Sequence, residues 1–287
     1  VSKNTTGGFF TGFDLLDTTS TDNLQKLSFT PGFRYKTAAL SVTDLSVNAV
    51  SSTKIIDIAA QAMEGTAQDL ADDMGNDFYT GVGTGITHNG LGNIVDDGTV
   101  AATYGSLTRA TFTTLNSTKT ASSGVISFAK LATLYNAISD GSMTPSLALC
   151  DRDVFSLIES LLAPQEKMDK TIPTIKGGLT GGTGYTAMFY KGVPIVADRK
   201  AVSGSFYYIN EDFLDFFALP VYGEDAVKFK TVHEGNDYGQ PMGLGFSWDG
   251  WKKPVNQKAV VSQITFAGNF ISWNPRRHGV LTGVTGV

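Results

Sequence analysis

The sequence KIIDIAAQAMEGTAQDLADDMGNDFY, residues 54–79, predicts the longest element of the chain, an amphipathic helix of roughly 40 Å. Apolar side chains recur along it at spacings of three or four, and most of the side chains between them are acidic or amide. The apolar positions are Ile56, Ala59, Met63, Ala67, Leu70, Met74 and Phe78. Ser52 or Thr53 can cap the start, and the glycine-rich segment 81–85 ends the helix. We expect the apolar stripe to lie in the core of the protein.

The residues before this helix mix scattered aromatic side chains with small polar ones. Residues 33–43 are predicted as a strand by their aromatic and β-branched content. The segment 13–16 is predicted to pair with this strand as a hairpin, with residues 18–26 as its tip. Because an isolated two-stranded hairpin is marginally stable in water, this arm should lie on another surface, of the same chain or of a neighbour.

The rest of the chain alternates shorter helices with a late run of strands, which predicts the α+β class. A helix is expected at 128–139 with Ser127 as its N-cap, and another at 152–163 with Asp151 before it. Strands are predicted at 145–150, 187–190, 193–197, 205–209, 227–232, 243–248 and 259–273. A Gly/Thr-rich loop separates the second of these helices from the strands that follow it.

The composition favours a protein whose surface is largely covered by partner subunits. Only 17% of the residues are charged, against roughly 25% in ordinary soluble domains. The chain carries 22 Lys and Arg against 27 Asp and Glu, a net charge of −5, which disfavours tight binding to nucleic acid. No uncharged apolar stretch approaches the ~18 residues that a membrane helix requires.

Neither glycine cluster predicts a phosphate-binding site. The segment 81–85 follows a helix and not a strand, so it lacks the context of a dinucleotide-binding turn. The loop 177–184 is not followed by the Lys-Ser/Thr pair of a phosphate loop. Cys150 is preceded by an apolar strand and is expected to be a buried small residue, not a nucleophile.

The histidines and the paired carboxylates do not form a metal or catalytic motif either. His88, His233 and His278 are too far apart for a local ligand pair and are expected at the surface or in loops. The doublet Asp72-Asp73 falls on the polar side of the helix, and Asp96-Asp97-Gly98 is typical of a turn. We therefore predict no enzyme, no cofactor and no metal site.

A basic cluster, Asn274-Pro275-Arg276-Arg277-His278, lies near the end of the sequence. Two interpretations are open: a contact with nucleic acid, or a rim of salt bridges where two subunits meet.

A series of short segments is similar to a known family in both order and spacing. They are GFDLLDTT at 12–19, FRYK at 33–36, KIID at 54–57, FYTGVGTG at 78–85, GL at 90–91, IVDDG at 94–98, GVP at 192–194, Asp198, NE at 210–211, NPRR at 274–277 and GVL at 279–281. Together they resemble the major capsid proteins of tailed bacteriophages with the Hong Kong 97-type fold. One departure is Val82, where many relatives carry Asp.

The resemblance implies an α+β capsid fold with an N-terminal arm, an extended β-hairpin loop, a peripheral domain and an axial domain. Residues 1–53 would form the arm and extended loop, and residues 54–139 the peripheral domain, with 54–79 as its spine helix. Residues 140–222 would form the axial domain, with the loop 177–184 near the axis of each ring. Residues 223–287 would supply strands that return to the peripheral domain.

The function implied is structural. The chain would self-assemble into pentamers and hexamers of an icosahedral head that encloses double-stranded DNA without reading its sequence. This would be a virion protein assembled in the host cytoplasm, with portal, scaffolding and decoration proteins as further partners and no membrane. The intersubunit contact candidates are Phe13, Leu16, Phe33, Tyr35, Lys36, Arg276 and Arg277.

Some relatives join a lysine of the extended loop to an asparagine of the next subunit. Lys26 and Lys36 are the loop lysines here, and no local motif assigns a crosslink to either. Two other functions remain as alternatives. One is the shell of an encapsulin-type cellular compartment, which shares the fold and holds enzyme cargo. The other is a Gly/Thr-rich secreted carbohydrate-binding module or hydrolase, which would need carboxylates in a cleft or a signal peptide.

Overall fold

The computed structural model describes residues 8–16, 26–50, 58–162, 188–219, 246–248 and 250–286. Several predicted features lie outside these residues: the first turn of the long helix at 54–57, most of the hairpin tip, the loop 177–184, the strand 227–232 and His233. No helix among the described residues is long and apolar enough to span a bilayer.

The described residues form a mixed α and β protein. The helices are α1 (Val42–Val50), α2 (Ile58–Thr80), α3 (Leu91–Ile94), α4 (Phe128–Ile138) and α5 (Arg152–Leu162). The strands are β1 (Gly32–Ser41), β2 (Thr103–Tyr104), β3 (Leu107–Thr108), β4 (Thr118–Thr120), β5 (Gly124–Val125), β6 (Leu147–Cys150), β7 (Met188–Tyr190), β8 (Val193–Ala197), β9 (Phe206–Ile209), β10 (Leu214–Ala218), β11 (Phe246–Trp248), β12 (Ala259–Ser272), β13 (Gly279–Leu281) and β14 (Val284–Thr285). The helices predicted around α2, α4 and α5 and the strands predicted around β1, β6–β9, β11 and β12 are confirmed within a few residues.

The long helix α2 ends at Thr80, and the glycine-rich segment follows it, with Gly83 and Gly85 at φ 63°. Its apolar stripe is less buried than predicted. Leu70 is buried and Met74 is half-buried, whereas Ala67 is exposed. The stripe is therefore a core element only in part, because burial concentrates toward the C-terminal end of the helix.

The first sheet is built around β12, which pairs antiparallel with β1, β10 and β11. The β1–β12 ladder runs from Gly32 opposite Gly268 to Ser41 opposite Ala259. The predicted hairpin between the segment 13–16 and β1 is wrong, since 13–16 contains no strand and β1 pairs with β12. A ten-residue ladder satisfies many more backbone groups than this short segment could.

The second sheet has six strands in the order β4-β13-β9-β6-β8-β7. All four residues of the strand β9 are buried. Side chains of α4 and α5, among them Leu131, Leu134 and Val154, form one apolar cluster with this sheet. The hydroxyl of Ser127 accepts the backbone N–H of Lys130, which confirms the predicted N-cap of α4. Four of these strands lie between residues 140 and 222, and β4 and β13 lie outside that range.

The C-terminal end of α2 connects the two sheets through adjacent aromatic residues. The ring of Phe78 lies 5.1 Å from that of Phe270 in β12. The next residue, Tyr79, lies 6.1 Å from Tyr207 in β9 and donates its hydroxyl hydrogen to Asp198 at 2.7 Å. Burial and the Asp198 carboxylate both raise the pKa of the Tyr79 hydroxyl, which stays a donor at every ordinary pH.

Candidate functional surfaces

The segment 8–16 carries large apolar side chains that the rest of the described chain does not cover. Phe13 is fully exposed, and Leu16 is 60% exposed. The hydrogen bonds shown for this segment are internal: the N–H of Asp14 donates to the carbonyl of Thr11, and the N–H of Thr11 donates to the Asp14 carboxylate. Contiguous exposed apolar surface is uncommon on monomeric proteins and marks sites of association.

A second uncovered surface is one face of the first sheet. Phe33 and Tyr35 are 55% and 66% exposed, and Phe217 of β10 is 54% exposed. Phe33 lies opposite Ala267, and Phe217 lies opposite Asn269, two residues further along β12. Since side chains two residues apart in a strand share a face, the three aromatic residues lie on the same side of the sheet. We call these three residues the aromatic face.

The alternate residues of β1 point to the other side, where they form ion pairs with α2. Arg34 lies 3.1 Å from the carboxylate of Asp73 and also pairs with Asp77. Lys36 approaches Asp73 to 2.8 Å. The Lys36 ammonium and the nearby Arg34 lower the pKa of the Asp73 carboxyl against the opposing effect of burial.

This arrangement separates the contact candidates in β1 into two groups. Phe33 and Tyr35 remain available to another molecule, whereas the ammonium of Lys36 is engaged within the chain. Lys26 is exposed at the start of the segment 26–30.

The two arginines near the C-terminus also have different surroundings. Arg277 donates to the carboxylate of Asp140 at 2.5 Å and to the carbonyl of Ile138 at 3.3 Å, so it ties the turn at 275–277 to the end of α4. Arg276 is exposed. Of the predicted basic rim, Arg276 is the member that faces outward.

The described histidines, His88 and His278, lie in loops, as one of the two predictions had it, but both are buried, so the prediction of a surface position is wrong. The ring of His88 packs 5.1 Å from that of Phe266, and its Nδ1 lies 3.1 Å from the carboxylate of Asp77. His278 is fully buried, with Nδ1 accepting the N–H of Asn210 and Nε2 2.8 Å from the hydroxyl of Ser272. A neutral imidazole has one donor and one acceptor, so it can connect two segments in the interior.

His278 is expected to make the fold sensitive to acid. Burial lowers the pKa of His278 to about 4, below its ordinary value of 6.5. Its contribution to stability is therefore complete above pH 6.5 and is lost as the pH falls toward 4, by a total of about 3 kcal/mol. Urea unfolding between pH 7 and pH 4 should show this decline.

The variant His278→Gln serves as the comparison for this pH dependence. It should be less stable at every pH but should lose less stability between pH 6.5 and 4. Carboxylates with lowered pKa values, such as Asp96, lose their contribution to stability mainly below this pH range. If the free energy of unfolding falls equally in the wild type and in His278→Gln between pH 6.5 and 4, His278 is not the source of the acid sensitivity.

Asp96 was predicted only as part of a turn, and the structure shows it fully buried. Its carboxylate accepts the N–H groups of Gly98, Val100 and Ala101 at 2.9 to 3.0 Å and pairs with Lys119 at 2.6 Å. Burial alone would raise the pKa of Asp96, but Lys119 and these hydrogen bonds outweigh it, and the net shift is downward. The turn itself is confirmed, with Gly98 at φ 95°.

Arg109, which the sequence did not single out, is the largest fully buried side chain of the described residues. Its guanidinium lies 5.0 Å from the centre of the Tyr104 ring. It donates hydrogen bonds to four backbone carbonyls, those of Asn93, Ile94, Asp96 and Leu115. These bonds hold the loops around α3 in place, so the role of this arginine is structural.

The expectation for Cys150 is confirmed. The thiol is free and fully buried, and burial raises its pKa to about 12. A protonated, inaccessible thiol is unsuited to act as a nucleophile. The described residues contain no group of three or more His, Cys, Asp or Glu arranged to hold a metal ion.

No protein-family model and no curated protein sequence matches the chain. Solved structures do match it. The capsid of cyanophage A-1(L) aligns with a TM-score of 0.64 at 12% identity, over 88% of this chain and 77% of that one. The SrpI encapsulin of Synechococcus elongatus PCC 7942 aligns with a TM-score of 0.58 at 11% identity, over 88% and 74%. The capsid of an empty GTA particle aligns with a TM-score of 0.56 at 11% identity, over 97% of this chain and 81% of that one.

These matches confirm the fold class and the resemblance that the sequence indicated. The chain has the mixed α and β fold of Hong Kong 97-like capsid proteins, over most of its length. At 11–12% identity the likeness concerns the fold. Both a phage capsid and an encapsulin share it.

Proposed function

We propose that this chain is a shell-forming subunit, and that the shell is the head of a tailed bacteriophage. The observation that carries the proposal is the match to the cyanophage capsid over 88% of the chain. The aromatic face and the exposed apolar side chains of the segment 8–16 support it, because a copy that stayed alone in solution would leave both in water.

Shell assembly needs contacts between unlike surfaces. A head-to-tail contact closes into rings when its rotation is a simple fraction of a turn, and rings of five and six can tile an icosahedral shell. Each contact can be weak because every subunit makes several at once. In this proposal the segment 8–16 and the aromatic face each meet a neighbouring copy, and Arg276 lies at a rim.

The phage head and the encapsulin differ in their contents. The cyanophage capsid aligns with a TM-score of 0.64 and the SrpI encapsulin with 0.58, which favours the head. The resemblance of the segment 12–19 and of the Asn-Pro-Arg-Arg stretch to phage capsid proteins favours it as well. A net charge of −5 suits a shell that encloses DNA without binding it tightly. The encapsulin remains the second candidate, on the strength of the SrpI match.

The first test is size-exclusion chromatography of the expressed chain followed by electron microscopy. Closed shells or rings of five and six support a shell-forming subunit, and a stable 30.5 kDa monomer under all assembly conditions contradicts it. Mass spectrometry of particles purified from their source separates the two candidates. DNA with a portal complex indicates a phage head, and a loaded enzyme indicates an encapsulin. In a phage head, scaffolding and decoration proteins among the particle's components would be further partners of this chain.

A further inference from the structure

The strand β11 is followed by a loop, residues 250–258, that leads into β12; we call it the tip loop. Its lysines are Lys252, Lys253 and Lys258, and it contains no acidic residue. With the neighbouring part of β12 it lines an open hollow of about 510 Å³. Val255 at its centre is fully exposed, so the loop projects from the body. Lys253 and Lys258 are exposed and form no ion pair with another described residue.

The helix α2 has the opposite charge. It carries five carboxylates and no Lys, Arg or His. The three in its C-terminal part are paired within the chain: Asp72 with Lys200, Asp73 with Lys36 and Arg34, and Asp77 with Arg34. The other two, Glu64 and Asp69, are exposed and form no ion pair with another described residue. We call residues 58–69 the acidic half of α2.

Both charged surfaces lie toward the same end of the molecule. Ser41, the last residue of β1, pairs with Ala259, so the tip loop lies at this end of the sheet. The ion pairs of Arg34 with Asp73 and Asp77 place the C-terminal part of α2 near the other end of β1. Since α2 runs on from there along β1, its acidic half extends toward the tip loop end.

We propose that the tip loop of one copy docks on the acidic half of α2 of a neighbouring copy. The inference rests on the proposed shell function and names one of its contacts. Two unlike surfaces at one end of a subunit can form a closed head-to-tail contact among copies around a common axis. Exposed ion pairs add little to affinity, but opposite charges steer the encounter and exclude wrong registers, so their main effect is on the rate and fidelity of assembly.

A charge swap tests this contact in the full chain. Lys253→Glu with Lys258→Glu, and separately Glu64→Lys with Asp69→Lys, should each slow assembly at least tenfold in about 50 mM salt, measured by light scattering. The variant with all four substitutions keeps the net charge of −5 and restores the opposite charges, so it should recover to within about threefold of the wild type. The wild-type rate should fall as salt is added.

The matched control is Arg152→Glu with Glu159→Lys, two exposed charges on α5, and it should assemble at the wild-type rate. Circular dichroism and thermal melting establish that each variant folds. If a charge-swapped pair does not fold, both of its residues are replaced by glutamine instead. Two results would overturn the contact, provided that the wild type forms shells. One is that both double variants assemble at the wild-type rate, and the other is that the variant with all four substitutions assembles as slowly as the double variants. A wild type that forms no shell under any condition would instead count against the proposed function.

Discussion

Replacing Phe33 and Tyr35 by serine is expected to abolish shell formation and leave the subunit folded. Both side chains are more than half exposed in the single chain, so their loss removes little from its own core. If a neighbouring copy covers them, each contributes about 2 kcal/mol to the contact, and losing both weakens that contact about a thousandfold. The loss of free energy per subunit in a shell is larger still, because each subunit makes several contacts.

The measurement is the lowest protein concentration at which light scattering detects shells, with the thermal midpoint of the dissociated subunit as the check on folding. Val100→Ser is the matched control, since Val100 is 76% exposed but lies in a loop outside the sheet. The control should assemble as the wild type does. Shells of the double variant at an unchanged threshold would show that the aromatic face is not an intersubunit surface.

Replacing Arg109 by methionine should lower the free energy of unfolding by about 3–5 kcal/mol. The substitution keeps much of the side-chain volume but leaves four carbonyls without their charged donor in the interior. It also removes the cation that stacks on Tyr104. Denaturant unfolding of the dissociated subunit gives the value.

Arg152→Met, at an exposed position of α5, is the control and should change the free energy of unfolding by less than about 0.5 kcal/mol. If Arg109→Met yields no soluble protein, Arg109→Lys retains one donor group and should show an intermediate loss. Stability equal to that of the control in either variant would mean that the carbonyls find other partners.

The features that could be predicted from the sequence are those with a local cause. The spacing of apolar residues is sufficient to place α2, and the cap at Ser127 locates α4. The aromatic and β-branched content of residues 33–41 is sufficient to place most of β1. Each of these inferences uses residues that are close in the chain.

The features that were missed depend on tertiary contacts that no periodic pattern or local motif reveals. The partner of β1 is β12, which no local pattern reveals. His278 is bound by Asn210, which lies 68 residues away, whereas the carbonyls that bind Arg109 lie 6 to 16 residues from it in loops whose path no sequence pattern reveals. An arginine in a sequence is rarely expected to be fully buried. Asp96 carried a local signal, since a carboxylate followed by Asp-Gly commonly accepts the N–H two residues later, but its burial did not follow from it.

The junction at Phe78 and Tyr79 has a mechanical consequence. Two neighbouring residues hold two different sheets, so any change in the angle between the sheets acts on the last turn of α2. The 23 residues of α2 give a lever of roughly 35 Å from this pivot to the other end of the helix. A rotation of about 5° at the pivot would therefore displace the far end by about 3 Å, roughly the length of a hydrogen bond. In an assembly of such subunits, a small change at this pivot would therefore alter the curvature.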